Sequence, residues 1–555
     1  MKRKVLAAFL CMAMVAGFTT GCSTPSTSGS SGSDSGEKVF RYAVNTEPTT
    51  LDPTKGQSIG DNEIQHAVTE SLVRNTAGTI KPGIAESWDV SDDGLTYTFH
   101  LRDDAKWSDG EQITADDFVY SWKRLLDPET ASPYAFIGDY LKNGHAIETG
   151  EMSVDELGVK AIDDTTLEVT LENPTSYFLS LIGASGQYAP LRQDIVEEYG
   201  SDFAATADKN VYSGPFKMVS SENNVWVFEK NENYWDADSI NLDRCELNYV
   251  ENTDTQLSMY ESGDLDYVQV PTASVSQYKD EAETFTNGNV DFCYINSASE
   301  EQPALQNKNF RLALNYALNR EDYVKLAVED VYTAFNGLVF PGLQAKDSTY
   351  GEVYDINSYS YPLSGDSDKA KEYLNTAIEE LKTSNPELGI SSPSDITIEF
   401  VTTDAESSKK IAEVIQEQWQ NTLGINVDIR QVTYSDIYGK VYPEHDFQVG
   451  YGGWGADYDD PYSYLELFYG ESSYNYSNYK NEEVDSLLEA SQTETDSDAR
   501  MDMLNQVEQI VLEDGAFVPL QERNVYYLLD DDTTGINFYY CSLNIDWVYA
   551  DVDVD

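Results

Sequence analysis

The chain has 555 residues, with 98 Asp and Glu against 35 Lys and Arg and a formal charge of −63. A phosphate backbone is gripped by clustered Lys and Arg, so this balance excludes a nucleic-acid binder. Apolar residues make up 40% and aromatic residues 12%, which is core material for a globular protein rather than a disordered one, and the length accommodates about three or four domains, or fewer large ones.

Residues 1–22 read as an export signal. Met1 to Lys4 is basic, residues 5–18 are apolar but too short to span a bilayer comfortably, and Thr19-Thr20-Gly21-Cys22 closes the segment with small residues. A small residue ahead of a Cys resembles the bacterial lipobox, in which Cys22 would be diacylated and become the mature N-terminus. Thr19 departs from the Leu usual there, and the alternative is an ordinary signal with an incidental Cys. The Ser/Gly tract at residues 23–37 has no apolar residue to join a core and is expected to act as a flexible leash. Lipid, leash and folded body form the layout of a protein that works beside a membrane without entering it.

Within the body, Tyr97-Phe99-Leu101 and Leu167-Val169-Leu171 alternate as strands. Between them Thr114, Asp116 and Asp117 provide a helix start, and Phe118, Val119, Trp122 and Leu126 recur on one face that should sit on the sheet. A helix is expected from Asn309 to about Asn319. Over residues 395–430, Ile396-Ile398-Phe400 alternates, Ile411, Val414, Ile415 and Trp419 follow helical spacing, Gly424 stops the helix, and Ile425-Val427-Ile429 alternates again. That order predicts a right-handed strand–helix–parallel strand crossover. Two more helices are expected over about 484–491 and 499–512. Strand-rich and crossover parts interleave, so the fold class is mixed α/β in more than one lobe.

Cys245, Cys293 and Cys541 allow one disulfide at most, with buried free thiols the favoured reading. The four His (66, 100, 145 and 445) show no zinc-ligand spacing, so no metal or other cofactor is expected. Two motifs mislead. Gly450 to Gly455 matches GxGxxG, but Asp457, Asp459, Asp460 and Pro461 stand where a pyrophosphate would lie. Asp530-Asp531-Asp532 starts like a calcium loop, but Cys541 occupies the position that needs a bidentate Glu, leaving an acidic turn. No GxSxG, HExxH or phosphate-loop pattern occurs, and with so many acids a carboxylate pair carries no weight, so the chain is not read as an enzyme.

Residues 447–458 combine glycines that let the backbone approach a neighbour, the flat face of Trp454 and the carboxylate of Asp457. The set suits an extended ligand with a positive end; equally it describes a turn carrying a surface Asp.

Several segments together resemble the extracytoplasmic oligopeptide-binding proteins of ATP-driven importers, the peptide and nickel solute-binding family. They are EPTTLDP (Glu47 to Pro53), the stretch from Gly83 to Ala135 that opens GIAESWDVSDDG, SGPFKM (Ser213 to Met218), NENYWD (Asn231 to Asp236), NFRLALNYALNRE (Asn309 to Glu321) and WGADYDDPYSYL (Trp454 to Leu465). They lie in family order over nearly the whole mature chain. The resemblance implies a periplasmic-binding-protein-like, two-lobed hinged clamp (type II-like, cluster C) with an extra domain inserted in the N-terminal lobe. It also implies an extended peptide paired to protein strands, with the Asp of W-x-A-D-Y holding the α-ammonium. Here that Asp is Asp457, with Trp454, Gly455 and Tyr458 beside it; Tyr134, Ile59 and Tyr451 are further lining candidates. Relatives often hold the peptide carboxylate with basic residues near the Gly-Trp segment, whereas here Tyr451 and Gly452 occupy it, with Arg430 and Lys440 merely nearby.

The implied division is 1–21 signal peptide, 22–38 lipidated Cys and linker, 39–69, 196–300 and 521–555 lobe I, 70–195 inserted domain, and 301–520 the lobe carrying the motif. The implied function is capture of oligopeptides by a monomer tethered through Cys22 to the outer face of the cell membrane, and delivery to a permease with ATPase subunits. Oligosaccharide, dipeptide, nickel or haem complexes, or peptide sensing without import, are the alternatives. The charge would serve solubility, steering of cationic peptides or a salty or alkaline habitat.

Overall fold

The computed structural model describes residues 36–554, apart from 57, 77–78 and 541–544. The export signal, Cys22, most of the leash and Cys541 lie outside the described residues.

The first core is assembled from distant parts of the chain. Strand Val39–Val44 pairs in parallel with Arg244–Tyr249, which continues antiparallel to Val225–Lys230 and Phe216–Glu222. Trp547, near the other end of the sequence, is fully buried among Phe40, Tyr42, Phe216 and Phe228, and its indole Nε1 donates to the Tyr42 hydroxyl at 3.0 Å. The three strands of residues 216–249 are neighbours in sequence, but the core is completed only when Val39–Val44 and Trp547 arrive from far along the chain.

A second, antiparallel sheet orders the strands Ala85–Val90, Thr96–Leu101, Thr166–Thr170 and Val159–Asp163. Tyr97, Phe99, Leu167 and Val169 point inward as the alternation predicts. The helix Ala115–Leu126 lies against it, its start fixed by the Asp117 carboxylate accepting from the Thr114 N–H at 2.8 Å. Its buried face is turned slightly from the expected one: Leu125 is buried and Val119 only partly.

The third sheet is mixed. It runs in the order Tyr267–Gln269, Phe517–Leu529, Glu283–Ile295, Val449–Trp454, Thr397–Thr403, Asn426–Val432. The predicted crossover is present, with helix Glu406–Leu423 between the two parallel strands and Gly424 at φ 74° ending it. Helices Lys308–Ala317, Glu482–Thr493 and Ser497–Glu513 match the other three expectations to within a few residues.

Two 13-residue antiparallel strands, Glu283–Ile295 and Phe517–Leu529, tie the lobes together. At one end Phe285 and Tyr527 pack into the first core; at the other, Cys293, Ile295, Val518 and Leu520 pack beneath the crossover helix. Between those ends the register breaks from Thr286 to Val290, where Gly288 takes φ 74°, a bulge that lets the paired strands bend. Cys245 and Cys293 are buried free thiols. No helix among the described residues is long and apolar enough to cross a membrane.

A cleft around Asp457

Most of the GxGxxG stretch lies in the strand Val449–Trp454. Its glycines are explained by the protein itself: a side chain at Gly450 would meet the Tyr442 ring, one at Gly452 the Tyr294 ring, and one at Gly453 the Asp291 carboxylate. Tyr451 also turns inward. Its hydroxyl donates to Asp291 at 3.0 Å, and that buried carboxylate also accepts from Arg523 Nε at 2.9 Å and Gln521 Nε2 at 2.7 Å.

After Trp454 the chain folds into a tight bend. The Asp457 N–H donates to Ser463 Oγ at 3.1 Å, Asp460 accepts from the Tyr462 N–H at 2.9 Å, and Pro461 precedes the short helix Tyr462–Leu465. The segment after the second sheet clasps this bend. Tyr177 stacks on Tyr458 with ring centroids 4.5 Å apart and planes 8° from parallel, and its ring also lies 5.8 Å from that of Tyr462, with planes 22° from parallel.

Four carboxylates on this bend have different fates. Asp460 is buried and held by Arg500 through two bonds of 2.6 and 2.9 Å. Asp459 accepts from the Gln344 N–H at 3.2 Å and the Tyr540 hydroxyl at 3.0 Å, and burial lifts its pKa to about 6. Asp457 has no side-chain partner; it is open to solvent inside a cavity, yet the surrounding protein displaces enough water to lift its pKa to about 6. Glu466, just past the short helix, is also unpartnered, and burial followed by the charges of Asp457 and Asp460 lifts it to about 8.

Asp457 and Glu466 line one cavity of about 690 Å³, with Tyr134, Tyr140, Trp454 and Tyr458 around them. Gln65, Ser71 and Arg74 line it as well. These carry buried polar atoms without hydrogen-bond partners: both amide atoms of Gln65, Ser71 Oγ and Arg74 Nη1, as well as Trp454 Nε1. Arg74 spends its other nitrogens on Glu70, at 2.9 Å from Nη2. A buried donor or acceptor left unpaired costs about 1–3 kcal/mol, and one cavity lined by several is arranged for a polar guest.

Of the residues singled out from the sequence, the cavity brings together Asp457, Trp454, Tyr458 and Tyr134. Tyr451 and Gly455 lie off its lining; Gly455 packs against the Asn289 side chain. Ile59 opens the helix Ile59–Val68, and its side chain is outside the description. Arg430 is engaged by Glu399 at 3.0 Å and Asp446 at 3.2 Å. Sequence reasoning missed Glu466, Gln65, Ser71 and Arg74; in so acidic a chain one more Glu carries no signal, and the other three stand far from the motif.

Two lobes joined by paired crossing strands, with a polar cleft walled by both the bend and the N-terminal lobe, define a ligand-binding clamp of the solute-receptor type. The description "Bacterial extracellular solute-binding proteins, family 5 Middle" matches residues 79–476, and the chain belongs to that family. It is 32% identical over 512 residues to the oligopeptide-binding protein OppA of Bacillus subtilis, covering 90% of each chain. To the dipeptide-binding protein DppE of the same organism it is 31% identical over 528 residues, covering 93% of each. Among solved structures, Listeria monocytogenes OppA bound to peptide superposes with a TM-score of 0.70 at 29% identity, over 94% of this chain and 100% of that one. The names of these relatives describe peptide-binding proteins.

Proposed function

We propose that this protein is an extracytoplasmic receptor that captures oligopeptides in extended form by their free amino end and hands them to a membrane permease driven by ATPase subunits. The observation that carries the reading is Asp457, an unpartnered carboxylate facing a cavity rimmed by aromatic rings. A peptide α-ammonium has a reference pKa near 8 and is a cation at neutral pH, so it completes this carboxylate, and a charge-assisted bond of this type contributes about 1.5–3 kcal/mol. The peptide-binding names of the relatives and the peptide-bound Listeria structure support the same ligand class. Extended peptides bind such clefts by backbone pairing, which tolerates varied sequences. Lipid on Cys22 and the Ser/Gly leash would hold a monomer at the outer membrane face, at about 0.8 kcal/mol per buried methylene.

Calorimetry with a tripeptide and its N-acetylated form tests the ligand. Acetylation is expected to weaken binding about 10- to 100-fold; equal affinities would overturn the role of Asp457 and the reading built on it. For the anchor, the mature protein from cells is expected to carry a diacylglyceryl mass on Cys22, and Cys22→Ser to remove it.

A further inference from the structure

Asp457 alone suffices for one ammonium, yet the cavity presents a second free acid. We propose that Glu466 is a further ligand-binding carboxylate, placed beside Asp457 so that the cleft selects peptides whose first residue carries a side-chain cation, lysine, ornithine or arginine. The inference rests on the peptide reading above and deepens it.

Three observations carry it. First, Asp457 and Glu466 line the same cavity, and neither has a hydrogen-bond or ion-pair partner. The other acids on that wall each have a partner: Asp139 pairs through Oδ2 with His145 at 3.0 Å while its Oδ1 is unpartnered, the Glu172 carboxylate accepts from the Asn143 N–H at 2.8 Å, and Glu70 holds Arg74. Second, the groups around Glu466 are Asp457, Asp460, Tyr140, Tyr177, Tyr458, Tyr462 and Tyr474, which are acidic or aromatic. Arg500, the cation of this bend, is consumed by Asp460. Aromatic faces attract a cation through the ring quadrupole, so rings and carboxylate converge on the same guest chemistry. Third, Gln65 is buried to 1% exposure and lines this cavity with both amide atoms unpartnered, so the wall offers a guest an amide donor and acceptor beside the two carboxylates.

The pairing also resolves an electrostatic conflict. Two unpaired carboxylates lining one cavity repel, and Glu466, the more buried of the two, answers by holding its proton. One cation satisfies only one of them. A first residue with both an α-ammonium and a side-chain cation lets both ionise at once, so binding of such a peptide at pH 7 should release a proton.

The test compares lysyl-alanyl-alanine with norleucyl-alanyl-alanine, which matches it in length but lacks the charge, and with alanyl-lysyl-alanine, which moves the charge to the second residue. Affinity is read by calorimetry in two buffers of different ionisation enthalpy. The wild type is expected to prefer the lysine-first peptide about 10-fold or more over both others, with a proton released only for that peptide. Glu466→Gln is expected to bring the lysine-first and norleucine-first peptides within about threefold of each other through loss of lysine-first affinity, and to abolish the proton release, with the melting temperature confirming that the variant is folded. Equal affinity for lysine at the first and second residue, which the overall charge of −63 alone would produce, overturns the inference. So does a lysine preference that survives Glu466→Gln. If peptides bind without preference, this inference falls and the peptide reading stands; if none binds, both fall.

Discussion

Asp460 and Asp457 stand three residues apart on one bend, and the feature that separates them is a cation. Asp460 has Arg500, and the pair is shut away beneath Tyr177 with two short bonds. Asp457 has none, and neither does Glu466 in the lining of the same cavity. The first pair is structural: removing either member leaves a buried charge uncompensated. The second pair has no cation of the protein's own to meet it. An acid in the cavity wall therefore marks function here through what it lacks, while its neighbour with identical chemistry holds the bend in place.

The sharpest way to break the comparison is to strip the structural pair. Arg500→Met should cost about 3–5 kcal/mol of stability by leaving Asp460 alone in the interior, measured by urea unfolding with the midpoint as readout. A loss below about 1 kcal/mol would mean that Asp460 is better hydrated than its burial indicates. Asp457→Asn should do the converse, costing about 1.5–3 kcal/mol of affinity for a peptide with a free amino end and leaving stability at pH 8 undiminished.

Titration separates the two acids without mutation. Asp457 must be ionised to hold an ammonium, and its pKa is lifted to about 6. Affinity should therefore be highest near pH 7 and fall towards tenfold per pH unit below about 6, whereas an N-acetylated peptide should show no such slope. A flat profile for both would remove the ion pair from the account. The smallest effect is on the empty protein. Glu466 is lifted from its ordinary 4.5 to about 8, so the native state retains a proton that the unfolded chain releases. Its stabilising contribution is complete below about 4.5 and is lost as pH rises through about 8. Glu466→Gln should thus raise the melting temperature by about 2 °C or more at pH 9 and leave it unchanged at pH 4.

Legibility in the sequence followed physical range. The crossover around Trp419 and the sheet built on Tyr97, Phe99, Leu167 and Val169 were readable because each burial pattern repeats within one element or between neighbours. The face of helix Ala115–Leu126 was read slightly askew because Val119 and Leu125 are both apolar, and only packing decides which is covered. The glycines of residues 450–455 were read as letting the backbone approach a neighbour, and the neighbours at three of them are Tyr442, Tyr294 and Asp291 of the protein itself.

By itself the sequence determined the local elements, the resemblance that located the W-x-A-D-Y bend, and the choice of Asp457, because periodicity, caps and motifs are properties of short stretches of chain. Only the tertiary structure decided that Trp547 closes the first core, that Tyr451 is spent on Asp291, and that Glu466, Gln65 and Arg74 share a cavity with Asp457. Those outcomes depend on which distant groups meet and which are left unpaired, and pairing across folded space leaves no periodic trace in an acidic sequence where every carboxylate looks alike.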